Sequence, residues 1–192
     1  DEYMAPRFLG MFFGAFSAES AQRGMSRLQG RLGETIAIPE LTLLDDPHRQ
    51  GANRSCFLDA EGFLTKPLPL IEEGVFRNFL YHVESANKEN KSSTGHAVRG
   101  YSGGIGTRSH NLVWPTGEFS LEQLCAQNSK WLLVTQLEGQ AGCNPVSGDI
   151  SIGVQGFLIE NGLRIQPVDS ITLAGNFFDV LLNIRGSGNT YQ

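Results

Sequence analysis

Cysteine is scarce in this chain, and what there is does not pair. The three residues Cys56, Cys125 and Cys143 are an odd number without metal-site spacing. A disulfide-stapled secreted domain is therefore excluded, and a reducing compartment fits, so the expected location is cytoplasmic. Charge is also sparse: 18% of residues are charged, the net charge is −5, and no long basic run occurs. That balance argues against direct contact with nucleic acid or an anionic membrane. No apolar run approaches the ~20 residues of a helical membrane span. The four histidines, His48, His82, His96 and His110, never fall at helical spacing around a glutamate. A zinc hydrolase helix needs that pattern to put two ligands and a base on one face. A Gly-x-Ser-x-Gly elbow and a phosphate-binding loop are missing too. The chain starts at Asp1 without an initiator Met or a signal-peptide pattern and stops soon after Gly-Ser-Gly-Asn189. A piece of a longer protein is expected.

Glycine, by contrast, is abundant, with 23 of 192 residues clustered at turns, against a usual ~7%. This suits a turn-rich β protein, and the length suits one domain with a real core. The organising stretch is Trp131–Asn176. An apolar run Trp131–Leu137 leads through a glycine-rich connection holding Gly139, Gly142, Pro145 and Gly148 to an alternating run Ile150–Ile159. Asn161-Gly162 then turns the chain into Leu163–Val168, since Asn-Gly supplies the two positive-φ residues of a tight hairpin. Leu70-Ile-Glu-Glu-Gly-Val75 matches Leu158-Ile-Glu-Asn-Gly-Leu163 and predicts a second copy of that device.

Earlier in the chain, Phe8, Leu9, Phe12, Phe13 and Phe16 recur at three- and four-residue spacing and predict one helix over Arg7–Met25. Short strands are expected at Thr35–Ile38, Leu41–Leu44, Ser55–Leu58, Phe63–Thr65, Leu68–Ile71, Val75–Tyr81 and Asn111–Trp114. Lys91–Thr107 reads as a long polar loop, and Ser93–Thr107 within it is expected to be mobile without a partner. Ser120-Leu-Glu-Gln123 has capping-box spacing and predicts a helix to about Asn128, and Asn176 is placed to cap a last helix over Phe177–Ile184. The class is α+β: a mainly antiparallel, strongly curled β-sheet with about three helices.

For chemistry, Cys143 lies in the central loop, and as a nucleophile it needs a base, which His96 supplies only if the long loop folds over. The plain alternative is that Cys143 packs and His96 is a loop residue satisfied by backbone. His48 reads as a solvated turn residue.

Several segments in fixed order carry a resemblance. They are Ser93-Thr-Gly-His96, Ser120-Leu-Glu-Gln-Leu124, Leu133-Val-Thr135, Asn144-Pro-Val-Ser-Gly-Asp149, Gly156-Phe-Leu-Ile-Glu-Asn-Gly162, Pro167-Val168 and Ile171-Thr-Leu-Ala-Gly-Asn176. Together they resemble the C-terminal domain of the TldD/PmbA family, formerly called modulators of DNA gyrase, and within it the PmbA (TldE) branch. The resemblance implies that residues 1–192 are one such domain, without the family's N-terminal domain and final segment. It implies a bacterial protease complex in which TldD carries a His-Glu-x-x-x-His helix and a late cysteine, and the PmbA-type partner lacks them. Residues 8–20 would stand at the metal helix, and both histidine positions are filled otherwise. No catalytic residue and no metal ligand is therefore carried over. Zinc is expected only in a TldD-like partner, and the partners expected are that subunit or a second copy, with unfolded peptide as substrate. The peptide-groove candidates are Thr94, Gly95, His96, Cys143, Asn144, Asp149 and Asn176. Two other readings stay open: a stand-alone peptide-binding scaffold, and an independent peptidase using Cys143 or a site outside this chain.

Overall fold

A computed structural model of the chain describes residues 1, 3–114, 116–127, 129–139 and 141–189. In order, its elements are α1 (Met4–Met11), a 3₁₀ turn (Phe13–Phe16), α2 (Ala18–Gln22), β1 (Leu43–Asp45), β2 (Leu68–Glu72), β3 (Val75–Phe76) and α3 (Val83–Asn87). There follow β4 (Ala97–Arg99), β5 (Ile105–Thr107), β6 (Leu112–Val113), α4 (Leu121–Ala126), β7 (Lys130–Glu138), β8 (Asp149–Glu160), β9 (Leu163–Asn176) and α5 (Phe177–Leu182). The class is α+β with every strand pairing antiparallel. Among the described residues the strands form three sheets, β3-β2-β1-β6, β4-β5 and β7-β8-β9, rather than one strongly curled sheet. Among the described residues there are five α-helices where about three were expected. The chain divides into two compact units, Asp1–Phe12 with Thr116–Gln192, and Phe13–Pro115.

The first unit is built on the β7-β8-β9 meander. Alternation along β8 buries Ile150, Ile152 and Val154 on one face. Phe12 stacks on Phe177 at 4.4 Å and closes the core with Phe178 and Leu181. Each such side chain, fully withdrawn from water, contributes about 1.5–3 kcal/mol. The Asn161-Gly162 hairpin has φ of 50° and 80°, as its turn chemistry requires. Beyond it β9 runs unbroken to Asn176, well past the expected Leu163–Val168. Ser120 and Gln123 form the capping box of α4, and the Asn176 side chain accepts from Phe178 N to cap α5. Asn128, the expected end of α4, lies outside the described residues.

In the second unit, Phe16, Phe76 and Phe79 pack edge to face among Leu28, Ile36, Leu41, Leu70, Ile71 and Leu80. Glu73 and Gly74 turn β2 into β3 with φ of 50° and 77°, the same device as Asn161-Gly162. The carbonyl of Gly74 takes the N–H groups of Ile36 and Ala37, so the expected strand at Thr35–Ile38 reduces to a bridge between Thr35 and Val75. The expected helix over Arg7–Met25 is likewise broken. Ser17 is extended (φ −76°, ψ 126°), bridges Leu80 and caps α2 by accepting from Ser20 N. A serine that can bond the backbone locally competes with helix continuation, which apolar spacing alone does not register. The long loop is tied as well: Thr94 exchanges bonds with Tyr81 through Oγ1 and its own N–H, and β4 pairs with β5.

Candidate functional site

Three short segments of the unit Phe13–Pro115 converge on one carboxylate. β1 ends at Asp45, His96 immediately precedes β4, and His110 precedes β6, which is the neighbour of β1. Asp45 Oδ2 accepts from His96 Nε2 at 2.8 Å and from the backbone N–H of His110 at 2.9 Å. The Asp45 and His96 side chains are both 0% exposed. His96 Nδ1 meets Thr94 Oγ1 at 2.9 Å, so both ring nitrogens are engaged. His110 Nε2 donates to the Gly95 carbonyl at 2.8 Å. That bond fixes the tautomer and leaves Nδ1 as an acceptor facing Cys56 Sγ at 3.6 Å. The two imidazoles lie 4.7 Å apart.

Electrostatics keep the outer pair neutral. Burial lowers the His110 pKa below its ordinary 6.5; the bond to Gly95 opposes this and His96 adds to it. Burial, then the Asp59 carboxylate, raise the Cys56 thiol above 9.0. Cys56 and His110 therefore meet as thiol and neutral imidazole at neutral pH. A base lies within reach of a nucleophile here, but burial and the Asp59 carboxylate outweigh the Arg108 charge that would favour a thiolate.

Asp45, His96 and His110 are of metal-ligand type, with ligand atoms all within 4.8 Å of one another. Around zinc, bonds of about 2.0–2.1 Å set neighbouring ligand atoms roughly 3.3–3.5 Å apart. The 2.8 Å separation of Asp45 and His96 is instead that of a charge-assisted hydrogen bond. The trio is thus a proton-linked network that ties three segments together. Asp45 Oδ1 is buried without a hydrogen-bond partner, so the carboxylate depends on the bonds made at Oδ2. The stretch 8–20 does not fit a zinc ion either. Its side chains are mostly aromatic or small, and its one acid, Glu19, pairs with Arg23 at 2.6 Å.

The remaining sequence candidates gather in the unit that holds the meander. Asn144 Oδ1 accepts from Val146 N and Ser147 N. Asn176 Nδ2 donates to Ser147 O and Asp149 Oδ1, and the Asn144 N–H bonds the Asp149 carbonyl. Cys143 sits beside Met11 at 3.8 Å, and burial raises its pKa. Gly148, at φ 84°, lies against the Phe178 ring, where a Cβ would collide. The loop is thus a braced knot whose outer residues, Asn144 and Asp149, are exposed.

The structure therefore brings Asn144, Asp149 and Asn176 together, with Cys143 adjoining them, and places Thr94, Gly95 and His96 in a different unit. His96 has no free nitrogen with which to serve Cys143. Its partners are side chains and not backbone, contrary to the plain reading of a loop histidine. His48 is exposed as expected, yet it bonds Thr65 Oγ1 at 3.1 Å and packs against Phe57. Sequence reasoning missed Asp45, Cys56 and His110. Asp45 follows Leu41-Thr-Leu-Leu44 and opens Asp-Asp-Pro-His48, a sequence that reads as a turn. No spacing rule joins it to residues 51 and 65 positions away.

Comparison with known proteins accounts for the whole chain. The family model described as the PmbA/TldA metallopeptidase C-terminal domain matches residues 1–192. The chain is 36% identical to metalloprotease PmbA of Escherichia coli O157:H7 over 98% of its own length and 40% of that protein. It is 35% identical to an uncharacterized protein of Methanocaldococcus jannaschii over 86% of its length and 39% of that protein. Among solved structures, a candidate modulator of DNA gyrase from Thermotoga maritima superposes with a TM-score of 0.86 at 36% identity, covering 93% of this chain and 41% of that one. TldE from Thermococcus kodakarensis superposes with a TM-score of 0.81 at 33% identity, covering 90% and 40%. The chain thus spans about two fifths of the length of these relatives. With the family model covering every residue and relatives aligned over nearly the whole chain, this protein belongs to the PmbA/TldA metallopeptidase family and carries its C-terminal domain.

Proposed function

We propose that this protein is a non-catalytic, PmbA/TldE-like subunit of a TldD-type metalloprotease assembly that acts on unfolded peptides in the cytoplasm. One observation carries the reading: the stretch 8–20 has no histidine or cysteine, and its single carboxylate is held by Arg23. The chain's own polar cluster supports it, because Asp45 Oδ2 and both imidazoles are engaged with one another and with Gly95, Thr94 and Cys56. Activation of water then falls to zinc in a TldD-like partner. What this subunit supplies is orientation and exclusion, which change rate without touching the reacting bond.

Peptide capture has a physical basis in the β7-β8-β9 sheet. β9 is a 14-residue edge strand, exposed along most of its length. An extended chain can add to such an edge through main-chain hydrogen bonds. At the end of β9 stands the knot of Cys143, Asn144, Asp149 and Asn176, whose exposed amide and carboxylate are suited to reading a peptide backbone. Thr94, Gly95 and His96 set the shape of the other unit from beneath its surface. The cytoplasmic setting is supported by three free cysteines.

The test is cleavage of an unfolded peptide by the full-length protein, by a TldD-like partner, and by the two mixed. The mixture should cleave in a metal-dependent way, and replacing only the partner's zinc-binding histidines should abolish this. Metal-dependent cleavage by this protein alone would sink the proposal.

A further inference from the structure

The unit built on the β7-β8-β9 meander holds a cavity of about 340 Å³, at the small end of ligand pockets. Leu121 and Leu124 of α4, Trp131 and Leu133 of β7, and Asn183 and Arg185 after α5 line it. Positions three apart on a helix share a face, as do positions two apart on a strand, so the apolar lining follows from the period of each element. Apolar surface alone would accept any apolar occupant, but two donors in this lining ask for more. Trp131 Nε1 is buried and has no hydrogen-bond partner. An indole N–H can only donate, and a buried donor without an acceptor is costly. Arg185 makes no ion pair among the described residues.

These donors narrow the ligand. Among the described residues no carboxylate lines the cavity, and Arg185 is its one charged group. Glu118 and Glu122 are close in sequence and keep their charges, but neither belongs to the lining. Selection therefore comes from direct contact with the donors and not from a field over the surface. A planar guanidinium matches a carboxylate through paired N–H bonds. The complement of this lining carries an apolar group, a carboxylate for Arg185 and a carbonyl oxygen for Trp131 Nε1, all within a small span. In a peptide only an apolar last residue meets that description, since an interior apolar residue has no carboxylate beside its side chain.

We infer that this cavity binds the C-terminal residue of a peptide when that residue is apolar, with Arg185 on the carboxylate and Trp131 Nε1 on the peptide carbonyl. The choice of a peptide over other apolar carboxylates rests on the proposed role with unfolded peptides. The cavity adds to that role a site that reads a chain end. The β9 edge, on the far side of β8 from β7, pairs main chain and does not distinguish a peptide's terminus.

The experiment uses the full-length protein and the fluorescence anisotropy of an N-terminally labelled, unstructured peptide ending in leucine. The free carboxylate should bind at least about 10-fold tighter than the same peptide amidated, since amidation removes a charge-assisted pair. In Arg185→Gln the two forms should bind alike, with the melting temperature unchanged because that side chain is exposed. Trp131→Phe keeps an aromatic ring but loses the donor, and should weaken both forms together. N-acetyl-leucine should compete better than octanoate, which has no peptide carbonyl. Equal binding of carboxylate and amide by the wild type overturns the inference, as does a preference for the carboxylate that survives Arg185→Gln. A full-length protein that binds neither form also overturns it, which is the result if its own chain fills the cavity. Stronger competition by octanoate overturns the assignment to a peptide. Failure of the subunit role looks different: the carboxylate is selected through Arg185, yet the mixture with a TldD-like partner gains no cleavage.

Discussion

Replacing His96 by leucine removes one half of a fully buried pair. Asp45 would keep only the His110 backbone donor at Oδ2, and Oδ1 has no partner to begin with. Breaking a buried charged pair from one side costs about 3–5 kcal/mol, because the surviving charge stays unsolvated. For a chain of this length each kcal/mol moves the melting temperature by about 2–4 °C, so a fall of roughly 6–20 °C is expected. Asp45→Leu should cost a similar amount. In the double variant no charge is stranded, and the main loss is the orphaned His110 N–H, about 1–3 kcal/mol. The double variant should therefore be far less destabilised than the sum of the singles, with a coupling of at least about 3 kcal/mol. The chain has two compact units, so urea unfolding should be paired with amide exchange at Leu44 and Ala97, which flank the pair. Single-variant losses below about 1 kcal/mol, or additivity within about 0.5 kcal/mol, would refute the account of Asp45 and His96 as an interdependent buried pair.

Gly95 has φ +75°, and a Cβ there would lie 2.8 Å from the Leu64 carbonyl; Gly95→Ala should cost about 1–3 kcal/mol, and an unchanged unfolding midpoint would contradict this. His110 has a lowered pKa, so the unfolded chain binds more protons below about pH 6.5. Stability should accordingly fall as pH drops through that value, less so in His110→Gln, and a pH-independent unfolding midpoint between pH 7 and 5 in the wild type would count against it. Cys56 has a raised pKa, so its alkylation by iodoacetamide at pH 7.5 should be slower than that of an unstructured thiol, and a faster rate would show an activated nucleophile. Asn176→Ala removes the cap of α5 and the bonds to Ser147 and Asp149; a loss of about 1–2 kcal/mol is expected, and a neutral result would mean that the knot is not braced as described.

Local signals read well where the chemistry is local. Asn161-Gly162 and Glu73-Gly74 form the same hairpin because positive φ at both turn residues is a short-range demand. The caps at Ser120 and Asn176 follow from side chains that reach only two or three residues onward. The helix over Arg7–Met25 failed because periodicity registers which face is apolar and not where a serine will turn the backbone to meet a strand. The polar cluster was half legible. His96 stood out in the Ser93-Thr-Gly-His96 segment, but its partner Asp45 is 51 residues away. Nothing in the spacing of Asp45, Cys56 and His110 announces that β1 and β6 will lie side by side. The expected strands Ser55–Leu58 and Phe63–Thr65 failed for the opposite reason: their apolar residues read as buried, and only the fold shows that Phe57, Leu58, Phe63 and Leu64 face outward.

The central claim is that this chain contributes binding surface and not water activation. Its most direct measurement is the rate of cleavage of an unfolded peptide by the full-length protein after metal removal and zinc readdition, alone and with a TldD-like partner. The account predicts no cleavage by the protein alone at any zinc concentration, and zinc-dependent cleavage once the partner is added. Zinc-restored cleavage by the protein alone, unaffected by removal of any partner, would contradict it.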